Sequence, residues 1–429
     1  MNHLPLLLLI LLWLTWLAQA VLSAMQVRKL ARQLETKLRQ RDDAFRPPAT
    51  LIVPFKGVDP ELEEHLRSLF EQDYPDYELV LVVDSVEDPA YALLKREALR
   101  HPDRRATILV AGPCGPREGQ KIHNQLFAID HLESRSTDEG HDPDAAWAWV
   151  FADSDAVPGP GWLGDMVGPL NRKKIGLTTG YRWLVPQSAD PAGRPTVWSH
   201  LASIMNSSVA CFYKSDGYTR AWGGSMALLA QTARRGGLRQ RLVGALCDDY
   251  QFSRMIRELK QRVYFVPWCL VTTPIHWRFT QLYDFAHRQY LLTRVYAPGV
   301  FTGAVLLTTL YVAGFITSWG WVVLHVACDS SSWAWGWPIP VMVGVFIANQ
   351  WRASYRQMVI QRALRPDTLL PLRSTLRLER WTTFLWMTLH WLLVLRAAVG
   401  RTMTWRHVTY RLSGPQRVEK IEAGHARVD

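Results

Sequence analysis

The stretch "AWAWVFADSDAVPGPGWL", residues 146–163, gives the first indication of how this chain folds. It begins with an apolar run of strand length, which ends at Asp153 and Asp155, and a proline- and glycine-rich turn follows. Charged groups at the edge of a core are costly unless they have a partner. An arginine, a helix cap or a bound cation could each be that partner, and the rest of the sequence must discriminate among them.

Strands and helices alternate around this stretch. Short β-rich runs occur at residues 50–55, 78–84, 106–112 and 148–153, and helical patterns at 60–72 and 121–133 separate them. This alternation predicts an α/β domain, with a mainly parallel sheet and helices on both faces. Ligands of such sheets bind beyond the carboxyl ends of the strands, where Asp84, Asp153 and Asp155 are expected.

Asp153 and Asp155 form a candidate site for a divalent cation. Residues i and i+2 of a strand face the same way, and hard cations such as Mg²⁺ or Mn²⁺ take carboxylate oxygens and share them with substrate phosphates. An Asx turn that simply ends the strand is the alternative, and it stays open on these residues alone. The GxxxxGK[ST] phosphate motif is absent from the sequence, which disfavours the nucleotide folds that depend on it.

The N-terminal apolar run, residues 4–25, is long enough to cross a bilayer as a helix. A cleaved secretory signal is the alternative, because Ala18-Gln19-Ala20 resembles a cleavage site. However, no basic residue precedes the run, and the positive charges follow it, at Arg28, Lys29, Arg32, Lys37, Arg39 and Arg41. The positive-inside rule therefore predicts an uncleaved anchor with the following domain in the cytoplasm.

The C-terminal part predicts further membrane segments, at about 302–326, 333–350 and 382–399. A cytoplasmic signature lies between the last two, in Arg352, Arg356, Arg362, Arg365, Arg373, Arg377 and Arg380. The tail is also basic, which conflicts with four full crossings, so segment 382–399 either spans the membrane or lies in the interface. An integral, multi-pass membrane protein is expected.

These patterns predict five regions. They are an anchor at 1–26, a basic linker at 27–47, a cytosolic domain at 48–298, a membrane region at 299–400 and a basic tail at 401–429. The net charge of +11 lies largely beside apolar segments, which favours anionic headgroups over nucleic acid as its partner. The five cysteines form no CxxC pair and are typical of free thiols in a reducing compartment.

Several longer motifs carry a resemblance to a known family. They are "PFKGVDPELEEHLRSLFEQDYPDYELVLVVDSVEDPA", "QKIHNQLFAI", the acidic pair at residues 153 and 155, "AWGGSMALL" and "CDDYQFSRMI". Together they resemble the ceramide glucosyltransferase branch of the family-two inverting glycosyltransferases, over residues 48–300. The resemblance implies a GT-A-like nucleotide-sugar domain, a UDP-sugar donor, a lipid acceptor and a divalent cation, Mn²⁺ or Mg²⁺.

The resemblance also implies roles on the donor side. Asp84 corresponds to the acid that helps to hold the uridine and ribose, and Lys121 and Asn124 correspond to nucleotide-side polar residues. Asp153 binds the nucleotide sugar and, with Asp155, forms the metal and diphosphate pair. For Lys121, a solvated helix face is the alternative.

On the acceptor side, Asp249 matches the family's general base, which takes the proton of the acceptor hydroxyl. Asp248 beside it is expected to raise the proton affinity of Asp249. A helix N-cap is the alternative for this acidic pair. Gly223, Gly224 and Ser225 are expected at the acceptor pocket, where glycine permits close backbone approach, and a simple turn is the alternative there.

One element departs from the family pattern. The family's [Q/R]-x-x-R-W element corresponds here to Arg288 and the residues after it, but Leu291 and Leu292 replace the arginine and the tryptophan. Arg288 and Gln289 are therefore predicted to serve the acceptor or diphosphate side without the full element. The departure leaves the acceptor open.

The leading hypothesis is a membrane enzyme that transfers a sugar, with glucose the nearest named one, from a UDP-sugar to a ceramide-like lipid hydroxyl. A hopanoid or another polycyclic lipid is the alternative acceptor. A processive polysaccharide synthase would need more membrane helices and the intact arginine-tryptophan element. A non-catalytic membrane scaffold is the remaining alternative, and the presence of Asp84, Asp153, Asp155 and Asp249 argues against it.

Overall fold

The structure is a computed structural model that describes residues 4–37, 44–58, 62–140, 142–190, 193–213, 219–328, 333–364, 366–405 and 408–421. Asp59 and Pro60 of the first family motif, Arg39, Arg41 and Arg365 lie outside the described residues. The chain divides into two compact units. The helical unit comprises Met1–Glu35, Val185–Cys211 and Ile275–Gly400, and the sheet unit comprises Thr36–Leu184, Phe212–Pro274 and Arg401–Asp429.

The sheet unit is built on seven strands in the order β3-β2-β1-β4-β6-β5-β7. The strands are β1 (Ala49–Pro54), β2 (Tyr77–Val83), β3 (Ala106–Val110), β4 (Ala148–Ala152), β5 (Ile175–Pro186), β6 (Ser225–Leu229) and β7 (Arg262–Ile275). Strands β1 to β4 are parallel to one another, whereas β6 pairs antiparallel with β4 and β5. The predicted α/β architecture and its first four strands are confirmed.

Helices of the sheet unit lie between these strands. They are α2 (Leu62–Phe70), α3 (Pro89–Arg100), α4 (Gln120–Asp138), α5 (Trp162–Val167), α7 (Ala230–Arg235), α8 (Leu238–Leu242) and α9 (Asp248–Glu258). Every residue of β2 and β4 is buried, as expected of strands covered on both faces. Val80 and Phe151 of these strands pack with Ile129 of α4 and Phe252 of α9 in one core cluster. The packing of α4 and α9 into this core fixes where their first turns lie.

The C-terminal tail forms a small antiparallel sheet. Its strands are β8 (Thr402–Trp405), β9 (Val408–Gly414) and β10 (Arg417–Ile421). The side chains of Met403, Tyr410, Leu412 and Val418 are buried. Lys420 attaches this sheet to the loop before α4, because its backbone N–H donates to the carbonyl of Pro116 at 2.8 Å. The predicted basic tail therefore has regular structure up to Ile421.

The helical unit contains the helices α1 (Leu4–Lys37), α6 (Val197–Ala210), α10 (Phe279–Tyr296), α11 (Pro298–Ala327), α12 (Ile339–Ala363), α13 (Leu369–Trp381) and α14 (Thr383–Arg396). In the described residues, two segments are long and apolar enough to cross a membrane, Leu4–Glu35 and Pro298–Ala327. They correspond to the predicted anchor and to segment 302–326. The predicted segment 333–350 falls mostly in α12, and α14 is a shorter apolar helix.

The N-terminal helix is continuous through Lys37, so that it includes part of the region predicted as a basic linker. Within the helical unit it packs on α11 through tryptophans. Trp13 donates its indole N–H to the hydroxyl of Thr317 at 3.1 Å, and the Trp16 ring contacts that of Tyr311 edge-on. A Cβ at Gly314 would lie 2.6 Å from Cγ of Trp16, so the close approach of the two helices requires a glycine there.

Candidate active site

The carboxyl ends of three adjacent parallel strands bring the first polar residues of the site together. Strand β1 is followed by Lys56, β2 by Asp84 and β4 by Asp153. The ammonium Nζ of Lys56 lies 2.5 Å from Oδ2 of Asp84. Lys56 was not singled out from the sequence, although it belongs to the quoted family motif. The Asp84 carboxylate, expected on the uridine side, thus has a cationic partner on the neighbouring strand end.

Lys121, in the first turn of α4, connects two acids of the site. Its Nζ lies 2.7 Å from Oδ1 of Asp153 and 2.9 Å from Oδ2 of Asp248. The side chain is only 16 % exposed, which excludes the solvated helix face as its environment. Burial lowers the pKa of Lys121, but the two carboxylates outweigh burial and leave the pKa well above its ordinary value. Lys121 is therefore a fixed positive charge.

The buried acid Asp248 contacts two side chains of α4 through one carboxylate oxygen. Besides Lys121, its Oδ2 accepts a hydrogen bond at 2.7 Å from Nε2 of Gln125, one turn further along α4. Its side chain is 5 % exposed. A charge-paired and hydrogen-bonded carboxylate can stay ionised in a buried position. Asp248 is therefore placed to fix Lys121 and to repel a second negative charge next to it.

That second charge is the half-buried Asp249. The Cys247 thiol donates to its Oδ1 at 2.9 Å, and the backbone N–H of Gly223 donates to its Oδ2 at 3.4 Å. Burial raises the pKa of Asp249 to about 6, and repulsion by Asp248 adds to the rise, while the Cys247 thiol and Lys121 oppose it. A carboxyl group with such a pKa is suited to accept a proton near neutral pH.

Capping of helix α9 does not account for the acidic pair. The N-cap residue is Cys247, and it makes no side-chain capping hydrogen bond. Asp248 and Asp249 instead occupy the first two helical positions, where negative charge is favoured by the helix dipole. The dipole offsets only part of the cost of placing two adjacent carboxylates here.

Two glycines let the backbone pass over this cluster of charges. A Cβ at Gly223 would lie 2.7 Å from Oδ1 of Asp248 and 2.9 Å from the Lys121 ammonium. At Gly224 it would lie 2.8 Å from Oδ2 of Asp153 and closer still to the ring of Trp222. Real Cβ atoms do not approach this closely, so both positions require glycine. The structure places Gly223 and Gly224 against the acids, which is more than a simple turn would need.

Asp155 lies beside a strand arginine. Nη1 of Arg182, on β5, is 3.4 Å from Oδ2 of Asp155, and its guanidinium lies 5.2 Å from the ring centre of Trp222. The Asp155 carboxylate is 33 % exposed, more than Asp153 at 21 %. Arg182 was not predicted from the sequence, although a charged side chain in an otherwise apolar strand was the available signal.

Strand β4 ends at Ala152, so Asp153 and Asp155 lie beyond it and not at alternate strand positions as predicted. Their carboxylate oxygens are of the type that hard divalent cations prefer and remain partly accessible, with Lys121 and Arg182 as their cationic neighbours. Among the described residues, a second group of potential ligands is Cys247, Asp248 and Asp249, whose ligand atoms lie within 4.8 Å of one another. Burial, with the two acids, raises the pKa of the Cys247 thiol well above its usual range. A thiolate is a soft ligand, whereas Mg²⁺ and Mn²⁺ prefer carboxylate oxygens, so this mixed group suits a hard cation less well.

Two predicted site residues lie in the protein core and not beside the acids of the candidate site. Asn124 is 1 % exposed, and its amide bonds to the carbonyls of Phe55 and Val82 and to Gln120. Ser225 is fully buried, and its hydroxyl accepts from the Trp162 indole at 2.8 Å. Direct contact with a nucleotide or an acceptor is therefore not expected of either residue. Asn124 instead holds the ends of β1 and β2 together.

Arg288 and Gln289 lie on α10, in the helical unit. The Arg288 guanidinium lies 5.7 Å from the ring centre of Phe285, and the backbone carbonyl of Gln289 accepts from the Thr293 hydroxyl at 2.7 Å. Both are half-buried on a helix that continues nearly into the apolar α11. Their predicted service to the acceptor or diphosphate remains a prediction.

The sequence of this chain is similar to those of known proteins. The family model described as "Glycosyl transferase family 21" matches residues 11–418. A ceramide glucosyltransferase of Komagataella phaffii is 37 % identical over 67 residues, which are 16 % of this chain and 13 % of the relative. Ceramide glucosyltransferase 1 of Caenorhabditis elegans is 32 % identical over 87 residues, 20 % of this chain and 18 % of the relative. The matched regions thus span less than a fifth of these relatives.

Among solved structures, a mannosyltransferase from Pyrobaculum calidifontis in complex with GDP-Man and Mn²⁺ aligns with a TM-score of 0.45 and 18 % identity. The alignment covers 91 % of this chain and 97 % of that one.

Proposed function

This chain belongs to glycosyl transferase family 21, and we propose that it transfers a hexose, glucose in the first instance, from a UDP-sugar to the hydroxyl of a ceramide-like membrane lipid, with inversion and a divalent cation. The family match and the curated relatives confirm the resemblance to the ceramide glucosyltransferase branch. The observation that carries the proposal is the Asp249 carboxyl, whose pKa near 6 and position beside Lys121 and Asp248 suit a general base.

The proposed reaction is a single displacement. Asp249 accepts the proton of the lipid hydroxyl while that oxygen forms a bond to the anomeric carbon. The bond from the anomeric carbon to the diphosphate oxygen breaks, and its electron pair leaves with UDP. Attack from the face opposite the leaving group inverts the configuration at the anomeric carbon.

Positive charge near the diphosphate would stabilise the leaving group. Asp153 and Asp155 would hold Mg²⁺ or Mn²⁺, which supplies Lewis-acid neutralisation of the developing charge. Lys121, fixed 2.7 Å from Asp153, orients that acid and keeps the acidic cluster from being a purely negative surface. Asp84 would accept hydrogen bonds from the uridine or ribose, with Lys56 holding its carboxylate in place.

The lipid acceptor is supported by the apolar helices. Two segments of the described chain, in α1 and α11, are long and apolar enough to span a bilayer. The basic residues that follow the first segment favour a cytoplasmic sheet unit, on the side where nucleotide sugars are available. A polycyclic lipid such as a hopanoid is the alternative acceptor, since the residues proposed for the donor do not distinguish one lipid tail from another.

The test uses the detergent-purified full chain with labelled UDP-glucose, ceramide and hopanoid lipids, and Mn²⁺, Mg²⁺ or a chelator. The proposal expects lipid-linked label that requires the cation and disappears in Asp249→Asn. The matched control is Asp130→Asn, which changes an exposed acid paired with Arg239 and is expected to keep full activity. Free glucose without labelled lipid would support the donor site and refute the acceptor. Absence of turnover and of cation-dependent UDP binding would favour a non-catalytic scaffold.

A further inference from the structure

Helices α12 and α13 carry an excess of arginine that the proposed transfer reaction does not use. Helix α12 contains no acidic residue, and α13 contains Glu379 alone. Against this one acid stand six arginines, Arg352, Arg356, Arg362, Arg373, Arg377 and Arg380. The helix pair is therefore strongly cationic, although the sequence by itself attributes these charges only to membrane topology.

Glu379 is paired with arginines inside the helix pair. It forms an ion pair with Arg356, and Nε of Arg352 lies 3.6 Å from the same carboxylate oxygen. The carboxylate is 1 % exposed, so it faces α12 and cannot neutralise the outer arginines. This buried group fixes how α13 lies on α12, and hence which of its side chains face outward.

The outer face of this pair forms a groove of about 390 Å³, within the range of small-ligand sites. Its lining residues are Gln357, Gln361, Arg373, Leu376, Arg377 and Arg380. None of them is acidic. The guanidinium of Arg380 is held only by neutral groups within the described residues, among them the hydroxyl of Ser354 at 3.0 Å and Oε1 of Gln357 at 3.4 Å.

The three arginines of the groove are spaced so that their like charges repel one another, and a bound anion would reduce this repulsion. Arg373 and Arg377 are four residues apart on one helix, and Arg380 follows three residues later, so the like charges face one another and disfavour the helix. Arg373 and Arg377 form no ion pair with any residue that the structure describes. A bound phosphate would relieve this repulsion, and the planar guanidinium matches its oxygens with paired hydrogen bonds.

Exposed apolar side chains on the same two helices indicate where that phosphate comes from. Trp381 is 74 % exposed, Leu370 69 % and Trp351 56 %. Tryptophan and leucine beside arginines on an amphipathic helix are typical of segments that lie at a membrane surface. We propose that the groove between α12 and α13 binds the phosphate group of an anionic phospholipid headgroup.

The test is calorimetric titration of the full chain in a neutral maltoside detergent. The probes are dioctanoyl phosphatidylglycerol, dioctanoyl phosphatidylcholine and inorganic phosphate. Binding of the anionic lipid is expected to weaken by about tenfold or more in Arg373→Gln/Arg377→Gln, and by several-fold in Arg377→Gln alone. The matched control, Arg105→Gln/Arg239→Gln, removes the same charge from exposed arginines of the sheet unit and is expected to bind as the wild type does.

Three results would overturn the proposal. Wild-type affinity in a folded Arg373→Gln/Arg377→Gln variant would show that the groove is not the site. Equal weakening in the control pair would show that net charge alone attracts the lipid. Equal affinity for inorganic phosphate, or for the zwitterionic phosphatidylcholine, would show that the anionic headgroup is not what the groove recognises. The melting temperature of each variant establishes that it is folded.

Discussion

Asp249 illustrates how function and stability oppose each other at a single residue. Its pKa is raised from 3.8 to about 6, chiefly by burial. A carboxyl whose pKa is higher in the folded state binds its proton more tightly there, so folding loses stability as the pH rises from about 4 through about 6. At neutral pH the residue is a competent base because the fold holds it where its charge is unfavourable.

We therefore expect Asp249→Asn to stabilise the protein at pH 7.5 while it abolishes transfer. A shift of about two pKa units corresponds to at most about 3 kcal/mol, because each unit is about 1.4 kcal/mol. Thermal unfolding in detergent should show a higher melting temperature for the variant at pH 7.5 and little difference at pH 4. A variant that is equally or less stable at both pH values would contradict the burial argument.

Lys121 controls the charge of the base and the stability of the cluster. In Lys121→Gln the opposing effect of the ammonium on Asp249 is lost, so its pKa should rise. The acidic limb of the rate profile, expected near pH 6 in the wild type, should move to higher pH. The variant should also be destabilised, by about 3–5 kcal/mol if Asp248 stays charged and unpaired. An unchanged acidic limb would mean that Asp249 is not the group that titrates; Lys260→Gln serves as the control.

Much of the site was predictable at this scale, but not the direction of each side chain. Asp84 and Asp153 could be predicted as candidates because the carboxyl ends of parallel strands lie at one sheet edge, whereas Asp249 was predicted from the family resemblance alone. Asn124 could not be distinguished from Lys121 three positions earlier, since polarity does not reveal that one faces the core and the other the cleft. Which of the two side chains faces the core depends on where the ends of β1 and β2 lie relative to helix α4.

Among the elements, the turn before β6 passes closely over the acids of the candidate site because Gly223 and Gly224 have no side chains. We expect Gly223→Ala to lower stability by about 1–3 kcal/mol, because its Cβ would overlap the Asp248 carboxylate and the Lys121 ammonium. Activity should fall further, since Gly223 also donates to Asp249. Thermal unfolding and transfer rates of the purified variant provide the measurement.

The matched control is Gly159→Ala, whose added Cβ would meet no atom within 4 Å. It should match the wild type in both measurements. If Gly223→Ala did so as well, the turn would have more freedom than the contacts show.

Some strands could be predicted from the sequence and others could not. The parallel strands are continuous apolar runs because both faces are covered, and their positions were predicted. The strands β8, β9 and β10 were not, because charged residues alternate with single buried ones such as Tyr410 and Leu412. In a short strand with one exposed face this alternation is easily mistaken for a basic tail.

At the scale of the molecule, the sequence predicts a cytoplasmic sheet unit and a multi-pass membrane region, and the structure supplies a direct way to test that topology. Helix α11 follows strand β7 in the sequence with only helix α10 between them, and it ends at Ala327. Cys328 follows it and is exposed, whereas the other four cysteines are buried. If α11 crosses the bilayer, Cys328 must lie on the side opposite to the start of that helix.

A membrane-impermeant maleimide should therefore label Cys328 from outside intact cells. Arg105→Cys, at an exposed position of the sheet unit, should react in a Cys328→Ser background only in inverted vesicles. Labelling of both positions from the same side would mean that α11 does not cross, and would remove the two-span arrangement that supports a lipid acceptor. If Arg105→Cys reacted from outside and Cys328 only in inverted vesicles, α11 would still cross the bilayer but in the opposite orientation. The proposed base Asp249 would then lie on the side opposite to the cytoplasmic nucleotide sugar that the proposed reaction requires.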